Sequence, residues 1–261
     1  MRRAMLMIVR PAILIVAMLA AAPVPAQAAE IDALTSTAIK TVTDALIPPF
    51  ERQSGNTVHA TFAPPGALLK KFETGEPADV FLTGRDAIDK LIGEGKILRG
   101  RIDFATTGIA ICVRKGAPKP DVSTPDALRR ALLEARSVGY AAPSGGSITG
   151  PHIERMFARL GIADQMAAKA KLAAGGPNGR VSVLVSSGEA EIGLQQASEL
   201  LSNSDVEVIG MLPADLQQTT VYSAGITTRA KQADAALALI EALKAPSTAP
   251  IWKAKGLEPL P

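Results

Sequence analysis

Strand-like and helix-like segments alternate along the first third of the chain, and this alternation restricts the fold more than any other sequence feature. Short apolar runs at 31–34, 58–62 and 80–82 are typical of buried strands. Between them, apolar residues recur at helical spacing, as over 38–46, and a further helix-like segment runs through Leu91. Because helices that connect parallel strands cover both faces of the sheet, the order βαβαβα predicts an α/β chain with mainly parallel sheets.

The rest of the chain predicts a second unit of the same kind. A strand is expected at 108–113, and another βαβα unit extends to about residue 208. A later strand at 219–227 has to cross back to the first unit, and an amphipathic helix follows at 230–243. The sequence therefore predicts two lobes joined by two crossover strands. The predicted division is 1–28 as a signal peptide, 29–107 with 222–261 as lobe 1, and 108–221 as lobe 2.

The first 28 residues have the features of a secretory signal peptide. They comprise a basic start at 1–3, an apolar run at 13–22 and a small-x-small cleavage site at 26–28. A membrane anchor is the alternative, but three prolines shorten the apolar run below a spanning length. No lipid anchor is expected, since the only cysteine is Cys112. We predict a mature chain that starts near Ala29 and lies in the periplasm.

The charge balance of the mature chain argues against a nucleic-acid partner. Residues 1–28 hold three of the 28 basic residues and none of the 25 acidic ones, so the mature chain has 25 of each. Nucleic-acid binding requires a basic face and usually stacking aromatics, and aromatics make up only 3% of this chain. Cys112 lies in an apolar run and is predicted to be a buried strand thiol. The sequence contains no metal-binding or cofactor motif, so no cofactor is expected.

Loops of small and polar residues follow several predicted strands. Two of them, at 143–150 and 175–180, open helix-like segments. A helix start carries unpaired N–H groups and partial positive charge, so two starts facing one cleft would bind an anion. Loops at the carboxyl ends of strands meet at one edge of an open α/β sheet. The candidate ligand-binding residues are Thr35, Ser36, Thr37, Gly66, Ala67, Thr83, Ser147, Thr149, Asn178, Gly179, Arg180 and Gln196.

Five stretches resemble the periplasmic solute-binding proteins of ABC transporters, and most closely the molybdate-binding branch. They are ALIPPFERQSG at 45–55, GALLKK at 66–71, GEPADVF at 75–81, GEAEIG at 188–193 and the closing 245–259. The resemblance extends in order over nearly all of the mature chain. It implies two lobes that close by a hinge on an anion, with delivery to a membrane permease. A monomer is expected, since closure needs free lobes.

The sequence departs from the molybdate branch where the ligand would bind. By gapless matching, two expected serines are replaced by Ala38 and Pro65, and an expected tyrosine is replaced by Gln196. Arg180, with Asn178 beside it, adds a guanidinium group that can pair bidentately with a carboxylate. The predicted ligand is therefore an organic carboxylate or a non-standard oxyanion. The alternative is a molybdate- or tungstate-binding protein proper.

An enzyme is not expected from the motifs. The serine of Gly146-Ser147-Ile148-Thr149-Gly150 stands one place too early for a nucleophile elbow. A secreted hydrolase using Ser147 with His152 is a distant alternative. A purely structural role would leave the clustered polar loops unexplained.

Overall fold

The computed structural model describes residues 28–98, 100–174 and 180–261. The strands are β1 (Glu30–Ser36), β2 (Thr57–Ala63), β3 (Val80–Gly84), β4 (Ile102–Thr107), β5 (Ile109–Arg114), β6 (Val138–Ala141), β7 (Ala170–Ala173), β8 (Ile192–Gln196), β9 (Val206–Met211), β10 (Thr220–Ile226) and β11 (Glu258–Pro259). The helices are α1 (Lys40–Ser54), α2 (Pro65–Glu73), α3 (Arg85–Gly93), α4 (Pro125–Glu134), α5 (Gly150–Arg159), α6 (Ala163–Lys169), α7 (Val181–Ser186), α8 (Ala197–Leu200), α9 (Ala233–Lys244) and α10 (Ala249–Ala254). Short 3-10 helices cover Thr37–Ile39, Pro143–Gly145, Ala214–Leu216 and Pro246–Thr248.

The strands form two sheets, which confirms the predicted two-lobed α/β fold. The first has the order β11-β4-β10-β3-β1-β2 and the second the order β7-β6-β8-β5-β9. β1 runs parallel to β2 and β3, and β6 runs parallel to β7 and β8. β10 pairs antiparallel with β3 and β4, and β5 pairs antiparallel with β8 and β9. Both sheets are thus mixed, because β5 and β10, the two strands that enter each sheet from the other one, run antiparallel to their neighbours.

The predicted lobe boundaries stay a prediction, although each sheet draws on the corresponding parts of the chain. The first sheet consists of β1 to β4, β10 and β11, and the second sheet consists of β5 to β9. β10 begins at Thr220, two residues before the predicted start of the returning segment. The predicted signal peptide lies outside the described residues, apart from Ala28. Within the described ranges, no helix has the length and apolar character needed to cross a membrane.

Each sheet is covered by an apolar cluster on both faces. Along β1, Ala33 belongs to a cluster with Trp252, whereas Leu34 belongs to the opposite cluster with Phe72. This alternation follows from the two-residue period of a strand. Cys112 lies in the core of the second sheet, where burial raises the pKa of its thiol to about 12. The predicted buried strand thiol is confirmed.

Asp79 explains why the stretch GEPADVF carries an acid directly before β3. The residue is 4% exposed, and its Oδ2 accepts a hydrogen bond from the Asp32 N–H at 2.8 Å. Its Oδ1 accepts from the N–H groups of Lys231 and Gln232, at 2.6 and 3.0 Å, just before α9 begins. One carboxylate therefore fixes β1 and the start of α9 to the same edge of the first sheet.

Candidate functional site

A cavity between the two lobes, here called the cleft, is lined by polar side chains from both. It encloses about 680 Å³, open solvent at its mouth included. The carboxyl ends of β1, β6 and β8 point to it, as expected for ligand sites of α/β sheets. Its lining comprises Ser36, Thr37, Ala38, Pro64, Pro65, Ala141, Ala142, Gly145, Ser147, Ile148, Thr149, Ala173, Ala174, Arg180, Val181, Ser182, Gln195, Gln196 and Glu199.

The wall from the first lobe is the turn that follows β1. Ser36 caps the short helix Thr37–Ile39, since its Oγ accepts a hydrogen bond from the Ala38 N–H at 3.4 Å. The Oγ1 hydroxyl of Thr37 donates to Glu199 Oε1 at 3.2 Å. Because Glu199 belongs to the second lobe, this hydrogen bond spans the cleft.

The opposite wall is the loop between β6 and α5. Ser147 Oγ accepts hydrogen bonds from the N–H groups of Thr149 and Gly150, at 3.2 and 3.1 Å. Thr149, which is 1% exposed, donates its hydroxyl to Gln195 Oε1 at 2.6 Å. The loop therefore presents hydroxyl groups whose positions are fixed before any ligand arrives.

A buried chain of polar groups supports the floor of the cleft. The Tyr222 hydroxyl of β10 donates to Gln196 Oε1 at 2.7 Å, and Gln196 Nε2 donates to Thr220 Oγ1 at 3.0 Å. Burial raises the pKa of Tyr222, and the nearby Glu199 carboxyl raises it further, so the phenol is neutral at physiological pH. This network ties the Gln196 side chain of β8 to β10 of the first sheet.

Arg180 and Glu199 bring opposite charges to the cleft. Both side chains are partly buried. Burial raises the pKa of Glu199 to about 7, although the Thr37 hydroxyl and the Arg180 guanidinium oppose that rise. None of the ion pairs among the described residues includes Arg180. The cleft thus offers a cation to an incoming anion and a carboxyl group that exchanges a proton near neutral pH.

The structure brings half of the predicted ligand-binding residues to the cleft. The six that line it are Ser36, Thr37, Ser147, Thr149, Arg180 and Gln196. Thr35 and Thr83 lie behind the wall, fully buried, with hydroxyl groups that have no partner among the described residues. Asn178 and Gly179 lie outside the described residues. Whether this set binds a ligand stays a prediction.

Gly66 and Ala67 are not part of the cleft lining, and Gly66 lies at the junction of the lobes. The Gly66 N–H points to the Gly146 carbonyl oxygen of the other lobe, at 3.5 Å. A Cβ atom on Gly66 would lie 2.9 Å from the Cα of Gly146, so the two backbones touch. Ala67 packs, partly buried, against the apolar cluster around Leu68 and Phe72.

Sequence reasoning missed three polar residues of the cleft, Glu199, Gln195 and Ser182. Glu199 sits in the first turn of α8, where an acidic residue is expected merely to complement the helix dipole. The usable signal was its position three residues after Gln196, at the end of a strand that reaches the cleft. Gln195 directly precedes the predicted residue Gln196 in β8.

The hydrolase alternative finds no support in the geometry. His152 Nε2 lies 2.7 Å from the Leu216 carbonyl oxygen. The Ser147 hydroxyl bonds to Thr149 and to backbone N–H groups. No hydrogen bond joins these two described residues, so they do not form a nucleophile–base pair. Among the described residues, no group of acidic, histidine or cysteine side chains could hold a metal ion.

Two mixed sheets that enclose a polar cleft define the class: a two-lobed solute-binding protein. The chain belongs to the bacterial extracellular solute-binding proteins, whose family model matches residues 31–258. The resemblance to molybdate-type binding proteins is confirmed. The chain is 27% identical to the molybdate-binding protein ModA of Azotobacter vinelandii, over 88% of this chain and 90% of that protein.

Solved structures agree on the fold. The structure of the Azotobacter vinelandii periplasmic molybdate-binding protein matches 88% of this chain and 99% of that chain, with a TM-score of 0.74 and 21% identity. The tungstate-binding protein TupA of Desulfovibrio alaskensis matches 89% of this chain and 99% of that chain, with a TM-score of 0.63 and 17% identity.

The expectation that the chain is not an enzyme is wrong. The chain is 34% identical to an aconitate isomerase of Pseudomonas sp, over 82% of each chain. This relative is an enzyme by name, and its similarity extends over both lobes. The expectation rested on the lack of nucleophile and metal motifs, which an enzyme that works by acid–base catalysis does not require.

Proposed function

We propose that the cleft binds a small polycarboxylate, aconitate or a close analogue, and isomerises it by moving a proton. The observation that carries this proposal is the Arg180 guanidinium on the cleft wall, which has no ion-pair partner among the described residues. A guanidinium pairs bidentately with a carboxylate. The 34% identical aconitate isomerase supports both the substrate class and the reaction.

The reaction follows from the chemistry of aconitate, a propene with three carboxylate groups. Its cis and trans isomers interconvert only when the carbon–carbon double bond is temporarily lost. Removing a proton from the methylene group gives an allylic carbanion, and returning a proton to the other end shifts the double bond. The developing negative charge would lie near Arg180 and the hydroxyl groups of Ser147 and Thr149.

Capture and delivery of an anion is the second candidate function. It is supported by the family to which the chain belongs. It is also supported by the contact between Gly66 and Gly146, since two lobes that close on a ligand come into contact in this way. In this proposal the chain is exported by its signal peptide to the periplasm, and a permease of an ABC transporter receives the ligand. Ala38 and Pro65 on the cleft wall lack hydroxyl groups, which argues for a carboxylate over molybdate or tungstate.

A titration and a turnover assay together test these functions. The purified chain from residue 29 onward is titrated with cis-aconitate, trans-aconitate, citrate, molybdate and tungstate in a calorimeter. Each aconitate isomer is then incubated with the protein, and the isomer ratio is followed by NMR. Binding and equilibration of the aconitates are expected. Binding without equilibration would favour capture alone, and tight binding of molybdate alone would overturn the carboxylate proposal.

A further inference from the structure

We propose that the Glu199 carboxyl group moves the proton in this isomerisation, and that Thr37 of the opposite lobe orients it only when the lobes are closed. This inference rests on the proposed function and assigns a catalytic and a positioning residue to it.

The geometry leaves one oxygen of Glu199 free for a substrate. Oε1 accepts the hydrogen bond from Thr37 at 3.2 Å. Oε2 has no hydrogen-bond partner among the described residues, and Glu199 lines the cleft. A general base must come within hydrogen-bond reach of the proton that it removes, and Oε2 is the oxygen of Glu199 that is left for this contact.

The charges around Glu199 suit a group that both takes and returns a proton. Burial raises its pKa to about 7, and the hydrogen bond from Thr37 and the charge of Arg180 lower it. The Tyr222 phenol faces it from β10 and is neutral, since burial raises its pKa. Gln196 and Thr37 face it as uncharged groups. General acid–base catalysis is most efficient when the pKa lies near the working pH.

The step conserves atoms and electrons. Ionised Glu199 takes one methylene proton, the C–H bond breaks, and its electron pair enters the π system shared by three carbons. Protonated Glu199 then returns the proton to the far carbon, a new C–H bond forms, and the carboxylate is restored. Arg180 pairs with a substrate carboxylate next to the carbanion, so its positive charge stabilises the negative charge that develops on the substrate. No oxidant, reductant or metal takes part in the step.

The role of Thr37 couples this chemistry to closure. Its hydroxyl comes from the first lobe, whereas Glu199 comes from the second, so the hydrogen bond exists only when the two walls meet. Without it, the carboxyl group keeps its place on α8 but loses the group that fixes Oε1.

Glu199→Gln tests the catalytic assignment. The variant should bind trans-aconitate within about threefold of the wild type, because the side-chain shape is retained. Its isomerisation rate, and its rate of deuterium exchange into the methylene group in heavy water, should fall by about 10²–10⁴-fold. Glu199→Asp should retain partial activity, which keeps the test valid if the amide variant folds poorly. Glu189→Gln removes an exposed carboxyl whose only hydrogen-bond partner among the described residues is Ser187, and it should leave both rates unchanged.

Thr37→Val tests the positioning role. It should lower kcat more than it changes KM and should raise the apparent pKa in the pH–rate profile, because a hydrogen bond that lowers the Glu199 pKa is lost. Thr37→Ser should restore both. An active wild type whose Glu199→Gln variant keeps its exchange rate would overturn the assignment and leave the proposed function standing. A wild type that neither binds nor converts aconitate would overturn both.

Discussion

Arg180 and Glu199 are charged or titratable side chains of the cleft, and each has polar atoms that a bound ligand can contact. A partly buried cation without a carboxylate partner costs desolvation free energy, and an anion that enters the cleft offsets that cost. The neutral donors around it fix orientation but add no net charge. In the proposed function, discrimination between a carboxylate and a tetrahedral oxyanion therefore rests on Arg180.

Replacing Arg180 with alanine should weaken binding of trans-aconitate by about 2–5 kcal/mol, the usual cost of removing one partner of a buried charge pair. Arg180→Lys should recover only part of the loss, because an ammonium group cannot pair bidentately. Calorimetric titration measures both. Arg155→Ala, on the exposed face of α5, is the matched control. Tight molybdate binding that is unaffected by Arg180→Ala would instead indicate an oxyanion held by neutral groups.

Glu199 should also make the stability of the protein depend on pH. Below its ordinary value of 4.5 the carboxyl is protonated in both folded and unfolded chains. Between pH 4.5 and about 7 it ionises first in the unfolded chain, so its contribution to stability is lost as the pH rises.

The Glu199→Gln variant cannot ionise, so it should gain stability relative to the wild type as the pH rises from 4.5 to 7. The gain is at most about 1.4 kcal/mol per pH unit and should level off above pH 7. Urea unfolding at a series of pH values measures it, with Glu189→Gln as the control. A difference that stays constant with pH would show that the Glu199 pKa is not raised.

At the scale of elements, Asp79 links a strand to a helix that is 150 residues further along the chain. Its carboxylate accepts three backbone hydrogen bonds, one from β1 and two from the segment before α9. Without these bonds, the partly buried N–H groups of Lys231 and Gln232, just before α9, would lose their partners. The returning C-terminal helices thus depend on one acidic residue.

We expect Asp79→Asn to lower the free energy of unfolding by about 2–4 kcal/mol, since hydrogen bonds to a charged group contribute roughly 1.5–3 kcal/mol each. Chemical denaturation monitored by circular dichroism measures the change. Asp86→Asn replaces an exposed acid in the first turn of α3 and should change stability by less than about 1 kcal/mol. A comparable loss of stability in both variants would mean that the hydrogen bonds of Asp79 do not stabilise the fold more than an exposed acid does.

The elements were predictable from the sequence because their apolar periods are strong and their turns carry glycine or proline. Six cleft residues came from the same reasoning, since the carboxyl ends of strands gather at one edge. Two features could not be obtained this way. The antiparallel course of β5 and β10 depends on tertiary pairing, and the raised pKa of Glu199 depends on burial by residues distant in sequence.

At the scale of the whole molecule, the two lobes are in direct contact across the cleft. Gly66 touches Gly146, Thr37 bonds to Glu199, and the Ile148 side chain would meet any Cβ atom on Gly84 at 2.9 Å. At the first of these contacts both partners are backbone, so neither residue can yield to a new side chain. Small residues at the junction therefore determine how closely the two lobes approach each other.

Gly66→Ala should favour the open state and lower the affinity for trans-aconitate at least tenfold, or about 1.4 kcal/mol. The free energy of unfolding should not fall, because alanine suits the first turn of α2 at least as well as glycine. Small-angle scattering with and without ligand measures closure, and calorimetry measures affinity. Gly93→Ala has open space around its Cβ position and serves as the control. Unchanged affinity in Gly66→Ala would mean that binding does not need this contact.

The course of the chain through its two sheets has a consequence for how the protein can evolve. β4 leaves the first sheet at Thr107 and β10 re-enters it at Thr220, and these two residues are paired neighbours. The whole second sheet, with its half of the cleft, is thus an insertion whose two ends lie side by side. Recombination at two adjacent junctions could replace that half with one from a relative and leave the first sheet intact. New ligand specificities would then arise in this family by exchanging half a site.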